Sequence, residues 1–432
     1  MSPRRSRLAV GALALGSALL LSGCAAGANA DQQPTVAAAA DIASCNPAKT
    51  TINAVFGQQA TGAMTVASAA LEKKYPGLTI NATPQQTTSY DDLTKTVVGD
   101  IAVGKRPDLV MTGLGQLRFW VDTYKPATID PAKLEPTYQK QFLSAGTIDG
   151  KVYLAPSQIS APVLLVNEDL ASSAGVDASS IKTPEDLVAA AAAVTAKTGA
   201  PSVSVSTDAL PDWFSQAFVQ GAGGTFVKKD GTPGFGDATG IKALSIWQDL
   251  KKKNLELGVG FQDATAAFIG GKVAFMVATT SLIASIQKGV GSHFAWTPVD
   301  LPSVDGKDGA LPAGGNGWVV LSKDACAAAF STALVSQLLA KDAVLKASGT
   351  AYSYIPVDSA AAQELLGSSS ATPQLTYAWS YDKSLTPWGG FAGAKTVQVN
   401  DAIRTMAQQL QSGADTTSTV KSAVSSIDSI VK

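Results

Sequence analysis

From Thr51 the chain alternates short apolar runs with helix-patterned segments, and this alternation restricts the fold more than any other feature. Thr51 to Phe56 (TINAVF) reads as a strand, and Thr65 to Lys74 as a helix that stops before Pro76-Gly77. Leu78 to Thr83 is strand-like again, Tyr90 to Val103 is helix-patterned, and Asp108 to Met111 predicts a short buried strand. Strand, helix, strand, helix, strand is the rhythm of an α/β lobe with a mostly parallel sheet. A second set follows. Val163 to Val166 is an apolar strand. Thr183-Pro184-Glu185-Asp186 combines an N-cap, a proline at the first helical position and acids in the first turn, and predicts a helix through Leu187–Lys197. Pro201 to Ser206 reads as a strand and Trp213 to Val219 as a helix. Gly240 to Lys253 reads as one long helix with Ile241, Leu244, Trp247 and Leu250 on one stripe.

With 432 residues, the chain is longer than the roughly 250–300 residues over which one core grows, so two lobes are expected. Lys plus Arg number 33 and Asp plus Glu 34, a net charge of −1. That balance offers nothing to grip a phosphate backbone, and no nucleic-acid partner is expected.

The first residues read as an export signal. Arg4, Arg5 and Arg7 precede an apolar run from Leu8 to Leu21, shorter than the about 20 residues a membrane span needs. The run ends in Leu21-Ser22-Gly23-Cys24, which looks like a lipobox, the motif in which the cysteine thiol is acylated and the chain is cut before it. A twin-arginine export route stays open alongside the general one. Removal of three arginines leaves 30 basic against 34 acidic residues, or −4. Ala25 to Ser44 is small and polar without a periodic face and reads as a tether. Cys45 and Cys326 are the two remaining cysteines, either joined by a disulfide, which an extracytoplasmic milieu permits, or free.

Catalytic signatures are weak. There is no GxxxxGK[ST] and no GxSxG. Gly234, Gly236 and Gly240 miss the dinucleotide spacing by one residue. Ser179-Ser-Ile-Lys182 and Lys197-Thr198-Gly199 mimic penicillin-binding signatures but stand too close together. His293 is the single histidine and has no ligand-spaced partner, so no metal or cofactor is expected. Asp91-Asp92 starts a helix, where the dipole favours acids. Trp120, Trp213, Trp296, Trp318, Trp379 and Trp388 are each core candidates, and an aromatic face in a cleft can also stack on a sugar ring.

A resemblance emerges from Asp149. The run Asp149-Gly-Lys-Val-Tyr153-Leu-Ala-Pro156, then Ser160-Ala-Pro162 to Asn167-Glu-Asp169-Leu170, Ala174-Gly175-Val176 and Lys182 to Leu187 resembles the core of extracellular solute-binding proteins of carbohydrate-type ABC importers. Gln220 to Gly224 with Asp230-Gly231, Ala267 to Met276, Leu301-Pro302 with Gly314-Gly315-Asn316-Gly317-Trp318, and Gly349 to Val357 follow in the order of that family. The resemblance covers nearly all of residues 50–405. It is strongest to the glycerol-3-phosphate and glycerophosphodiester receptors.

The resemblance implies a two-lobe clamp that closes on a hinge, with solute bound between lobes and delivered to a membrane permease. It implies residues 1–23 as signal peptide, 24–45 as flexible tether, 46–157 plus 318–342 as one lobe and 158–317 plus 343–432 as the other. Crossings are expected near Ser157–Val163, Gly314–Val319 and Lys341–Gly349. Cys45 and Cys326 would share the first lobe. Ser160 aligns with a ligand serine, Trp213 with a stacking tryptophan, Thr279, Thr280 and Ser281 with a hydroxyl-rich turn, and Gly314-Gly315 with a backbone loop at the ligand. The arginine that holds phosphate in those receptors is replaced by Ala392, with Lys395 nearby, which favours a neutral sugar or polyol. Such a ligand would stack on Trp213 or Trp388. It would be held by Ser160, Thr279, Ser281, Gly314, Gly315 and Asn316, and by Gln58, which follows the first strand where a loop faces the cleft. The expected molecule is a monomer anchored by lipid to the outer face of the membrane, with no enzymatic activity. An exported cell-wall enzyme and a sensor lipoprotein of the same fold are the alternatives.

Overall fold

A computed structural model describes residues 35–303, 310–383 and 385–432. The signal segment and Cys24 lie outside the described residues. Two α/β lobes are built on two sheets. The first runs in the order Thr79–Gln85, Thr51–Gly57, Leu109–Gly113, Gly314–Val320, Pro156–Ser160, and the second in the order Trp296–Asp300, Pro162–Asn167, Phe275–Thr279, Val203–Ser204.

Each sheet is parallel in sense apart from one reversed strand. Gly314–Val320 lies antiparallel to both its neighbours in the first sheet, and Pro162–Asn167 to both of its own in the second. These reversed strands are the ones that arrive from the other lobe. A chain leaving one sheet at its carboxyl edge enters the next from that same edge, so it must run against the strands already there. The carboxyl ends of both sheets therefore face the crossing, the place where open α/β sheets bind ligands.

The strands take their places by pattern. Ile52, Ala54 and Phe56 alternate inward from a half-buried strand. Thr79–Gln85 is largely exposed and carries Pro84, as an edge strand tolerates. Pro162–Asn167 is buried throughout: Leu164 and Val166 join the large core, and Val163 and Leu165 join a second core with Phe268, Met276 and Trp379. Thr183 and Asp186 form the reciprocal capping box that opens the helix Pro184–Thr198.

Three sequence expectations are corrected. The tether does not extend to residue 45. The Ala37 amide donates to the Ser322 carbonyl at 2.9 Å and that of Ala40 to Ala325 at 3.0 Å, and Cys45 is joined to Cys326 with Cα atoms 5.5 Å apart. Backbone pairing and the disulfide thus fix residues 37–45 to the body. The helix expected over Gly240–Lys253 breaks into Ala238–Leu244 and Ile246–Lys252. Ser245 turns its hydroxyl to the Lys242 carbonyl and to Asp249, competing with the helical ladder. The lobe boundaries at 157/158 and 317/318 cut strands that the first sheet holds whole, so the changeovers fall at Ala161 and Ala313. The helix Lys341–Ser348, part of which the sequence assigns to the second lobe, packs against Thr61–Lys74 of the first.

Candidate functional site at the lobe crossing

Three elements meet where the chain changes lobes. Ser160 ends its strand opposite Gly314, and Thr279 ends its strand opposite Pro162. The helix Pro211–Gly221 delivers Trp213, whose indole N–H donates to the Pro312 carbonyl at 3.0 Å. A Cβ on Gly314 would lie 2.5 Å from the Trp213 ring and 2.6 Å from the Ser160 hydroxyl, so glycine is what allows the three to meet. Ser160 and Trp213 are buried.

Trp388 arrives by a separate route. Leu311–Pro312 and Leu385–Thr386 form a short parallel ladder, and Gln216 then clamps the following turn, donating to the Pro387 carbonyl and accepting from the Gly389 amide. Trp388 thereby lies 6.0 Å from Trp213, centroid to centroid, tilted by 50°, and 6.2 Å from Tyr90 at 70°. It also rests on Gly115 of the first lobe, where a Cβ would fall 2.8 Å from the indole. Its N–H donates to the Asp212 carboxylate at 2.7 Å.

The first lobe supplies a buried amide network. Asn316, fully buried, donates to Gln158 Oε1 at 2.7 Å and lies 3.2 Å from the Tyr90 hydroxyl. Gln158 donates to the Gln59 carbonyl at 3.2 Å, and Ser157 donates to Asn316 Oδ1. Tyr90 approaches Gly113 so closely that a Cβ there would meet its ring at 2.5 Å. Burial raises the Tyr90 phenol above its ordinary range, with Asn316, Gln59 and Tyr354 opposing the shift. At neutral pH it is a neutral donor and acceptor, suited to hydroxyl oxygens.

Carboxylates of both lobes also converge. Asp91 accepts from Gln116 and, at 3.2 Å, from Asn400 of the second lobe, with Arg404 3.7 Å away. Burial raises its carboxyl despite those partners. Asp212 is pushed up to about 6, first by burial and then by the Asp91 charge.

The sequence-named residues fall unequally into this arrangement. Ser160, Trp213, Gly314, Gly315, Asn316 and Trp388 come together. Thr279 and Ser281 are buried at the same crossing and bond each other at 3.1 Å, and Thr280 braces the changeover by accepting from the Ala161 amide. Gln58 is exposed; the buried neighbour is Gln59, because the short 3-10 turn Gln58–Ala60 rotates the first glutamine outward. Ala392 packs against Gly231, and Lys395 is exposed at the start of the helix Thr396–Gln411. Tyr90, Asp91, Gln158 and Asp212 were not singled out for the site. The sequence signal was the position of Tyr90 and Asp91 at the start of an expected helix; the helix of Trp213 begins earlier than expected, at Pro211, and so takes in Asp212. Among the described residues no group of three His, Cys, Asp or Glu could hold a metal ion.

Comparison with known proteins identifies the family and the fold. A family model of bacterial extracellular solute-binding proteins matches residues 67–377. Binding proteins of Brucella abortus and Brucella suis are 25% identical over 268 residues, 57% of this chain and 59% of theirs, so the chain spans about three-fifths of those relatives. Among solved structures, the GacH receptor of Streptomyces glaucescens, studied with acarbose, superposes with a TM-score of 0.72 at 18% identity, covering 88% of this chain and 98% of that one. A solute-binding protein of Thermotoga lettingae bound to α-D-tagatose gives 0.72 at 19%, covering 89% and 100%. UgpB of Mycobacterium tuberculosis with glycerophosphocholine gives 0.72 at 17%, covering 87% and 97%. The fold is that of the two-lobe binding proteins, and with residues 67–377, well over half of the chain, matched by the family model, the chain belongs to the bacterial extracellular solute-binding proteins.

Proposed function

We propose that this protein is a lipid-anchored receptor, held through Cys24, that captures a sugar, polyol or related carbohydrate-type solute between its lobes and presents it to the permease of an ABC importer. The observation that carries the reading is the meeting of Trp213, Gly314 and Ser160 at the carboxyl edges of both sheets. There, aromatic faces lie beside buried hydroxyls and amides, the mixture that suits a sugar's apolar ring face and its oxygens. The sugars named with the Streptomyces and Thermotoga structures support the same class. Ser160, Trp213, Thr279, Ser281, Gly314, Gly315, Asn316 and Trp388 are the ligand-contacting set. Gln59, buried beside the exposed Gln58, takes the place on the first lobe that was expected of Gln58. Contacts to both lobes would drive hinge closure.

A thermal-shift screen over sugars, polyols and glycerophosphodiesters, with the products analysed, tests this. A carbohydrate that raises the melting temperature and is recovered unchanged supports a receptor. Stabilisation by a glycerophosphodiester alone overturns the ligand class, and conversion of the stabilising compound overturns the receptor role in favour of an exported enzyme.

A further inference from the structure

The receptor reading leaves the charge at the crossing unexplained. Asp212 is 8% exposed, and the donors to its side chain are neutral: the indole of Trp388 and the backbone amides of Asp212 and Trp213. The charged groups facing this cluster come from two elements. The helix Tyr90–Ala102 offers Asp91, with Lys95 a turn further along, and the titratable phenol of Tyr90. The helix Thr396–Gln411 offers Arg404, beside the neutral amide of Asn400. Arg404 is shared: it lies 3.7 Å from Asp91 and 2.5 Å from Asp401. Its single positive charge is thus divided between two other carboxylates, so the Asp91 charge, offset only in part by Arg404 and Lys95, still acts on Asp212. A buried carboxylate left in this way is costly unless a cation or a proton joins it.

The walls around Asp212 suit a cation. Tyr90, Trp388 and Trp213 follow one another at 6.2 and 6.0 Å, tilted by 70° and 50°. They pack edge-on and tilted and not as a parallel stack, so the row presents ring faces in more than one direction beside Asp212. The face of an aromatic ring attracts a positive charge, most strongly when water is excluded. Resting on the carbohydrate reading above, we propose that Asp212 is a specificity-determining residue that selects an amino-substituted sugar over its neutral and anionic counterparts. The cation would sit between the Asp212 carboxylate and the aromatic walls. This replaces the neutral polyol expected from Ala392 with a sugar that carries a protonated nitrogen.

The test is titration calorimetry of the full-length protein against matched sets: glucosamine, galactosamine and mannosamine, each beside its neutral parent sugar and the corresponding uronate. The amine of one set should bind about tenfold or more tightly than its neutral parent, and the uronate more weakly still. Asp212→Asn should erase most of that ratio, and Asp212→Glu should retain a preference for the amine. The pH profile separates charge recognition from a structural role. Affinity for the amine should rise between about pH 5 and about pH 7 as Asp212 ionises, while the amine itself stays protonated. The neutral parent should show no such rise. Unfolding curves establish that both variants are folded. Equal affinity for amine and neutral sugar, with that ratio unmoved by Asp212→Asn, overturns the proposal and leaves the carbohydrate reading standing. A panel in which no amine binds more tightly than its neutral parent overturns the proposal, and the carbohydrate reading is then judged separately by the thermal-shift screen with its glycerophosphodiester arm.

Discussion

Gly314 and Trp213 are in contact at the lobe crossing, with no room for even a methyl group between them: a Cβ on Gly314 would stand 2.5 Å from the indole ring. The obstruction includes ring atoms pinned by the bond from Trp213 to Pro312, so neither side yields cheaply. Gly314→Ala should therefore cost about 1–3 kcal/mol in stability as overpacking and weaken ligand binding by about tenfold or more, since tenfold corresponds to only about 1.4 kcal/mol. Gly99→Ala is the control. Gly99 sits in the exposed interior of the helix Tyr90–Ala102 with nothing within 4 Å of the new Cβ, and should gain about 0.5–1 kcal/mol. Urea unfolding and ligand titration of both variants check the pair; equal behaviour would remove the steric argument.

The Cys45–Cys326 bond closes a separation of 281 residues. Constraining so long a loop in the unfolded chain stabilises the fold by about 2–4 kcal/mol. Cys45 precedes the first strand, at the edge opposite the carboxyl ends that face the crossing. The double variant Cys45→Ser, Cys326→Ser should lose that stability in urea unfolding while keeping its ligand affinity. Wild type measured with a reductant should move toward the variant. An unchanged midpoint in reductant would show that the bond contributes nothing.

Much of this fold was legible in the chain because its strands and helices carry strong periodic signals. Ile52, Ala54 and Phe56 alternate as they should, and Thr183-Pro184-Glu185-Asp186 announced a helix that starts there. What escaped depends on contacts that leave no local trace. The docking of residues 37–45 is made by backbone bonds to Ser322 and Ala325 and has no side-chain pattern. Gln58 and Gln59 differ by the phase of a single short turn, which a strand pattern cannot set. Asp91 reads as an ordinary acid in the first turn of a helix, and Asp212 stands just before the helix expected over Trp213–Val219 and draws no reading of its own. Only tertiary packing brings Asn400 to the one and Trp388 to the other.

Cys24 should be the acylated first residue of the mature protein. The argument is the register of the arginines, the apolar run and the Leu21-Ser22-Gly23-Cys24 motif. Mass spectrometry of the N-terminal peptide from purified protein should show a cysteine carrying lipid, and Cys24→Ala should move the protein from the membrane to the aqueous fraction. An unmodified Cys24, or cleavage after Ala30, contradicts it.

Glu256 gives the fold a dependence on pH that is separate from the ligand. It is buried, one oxygen accepting from the Val205 amide at 3.0 Å and from Gln411 at 2.8 Å. The other oxygen is buried with no hydrogen-bond partner among the described residues. Burial pushes its carboxyl up to about 7, against 4.5 ordinarily, with Gln411 and the Val205 amide opposing the shift. Below the ordinary value both folded and unfolded chains hold the proton. Between the two values the folded chain keeps a proton that the unfolded chain has released, so this group's contribution falls as pH rises across the window and is level above it. Glu256→Gln resembles the protonated form and lacks this slope. Above about pH 7 the variant should be the more stable protein, by up to about 3 kcal/mol from the size of the shift, and near pH 4.5 the two should converge. Urea unfolding at a series of pH values measures the difference directly. Parallel pH profiles for the two proteins would show that Glu256 is ionised in the folded state and that burial does not hold its proton.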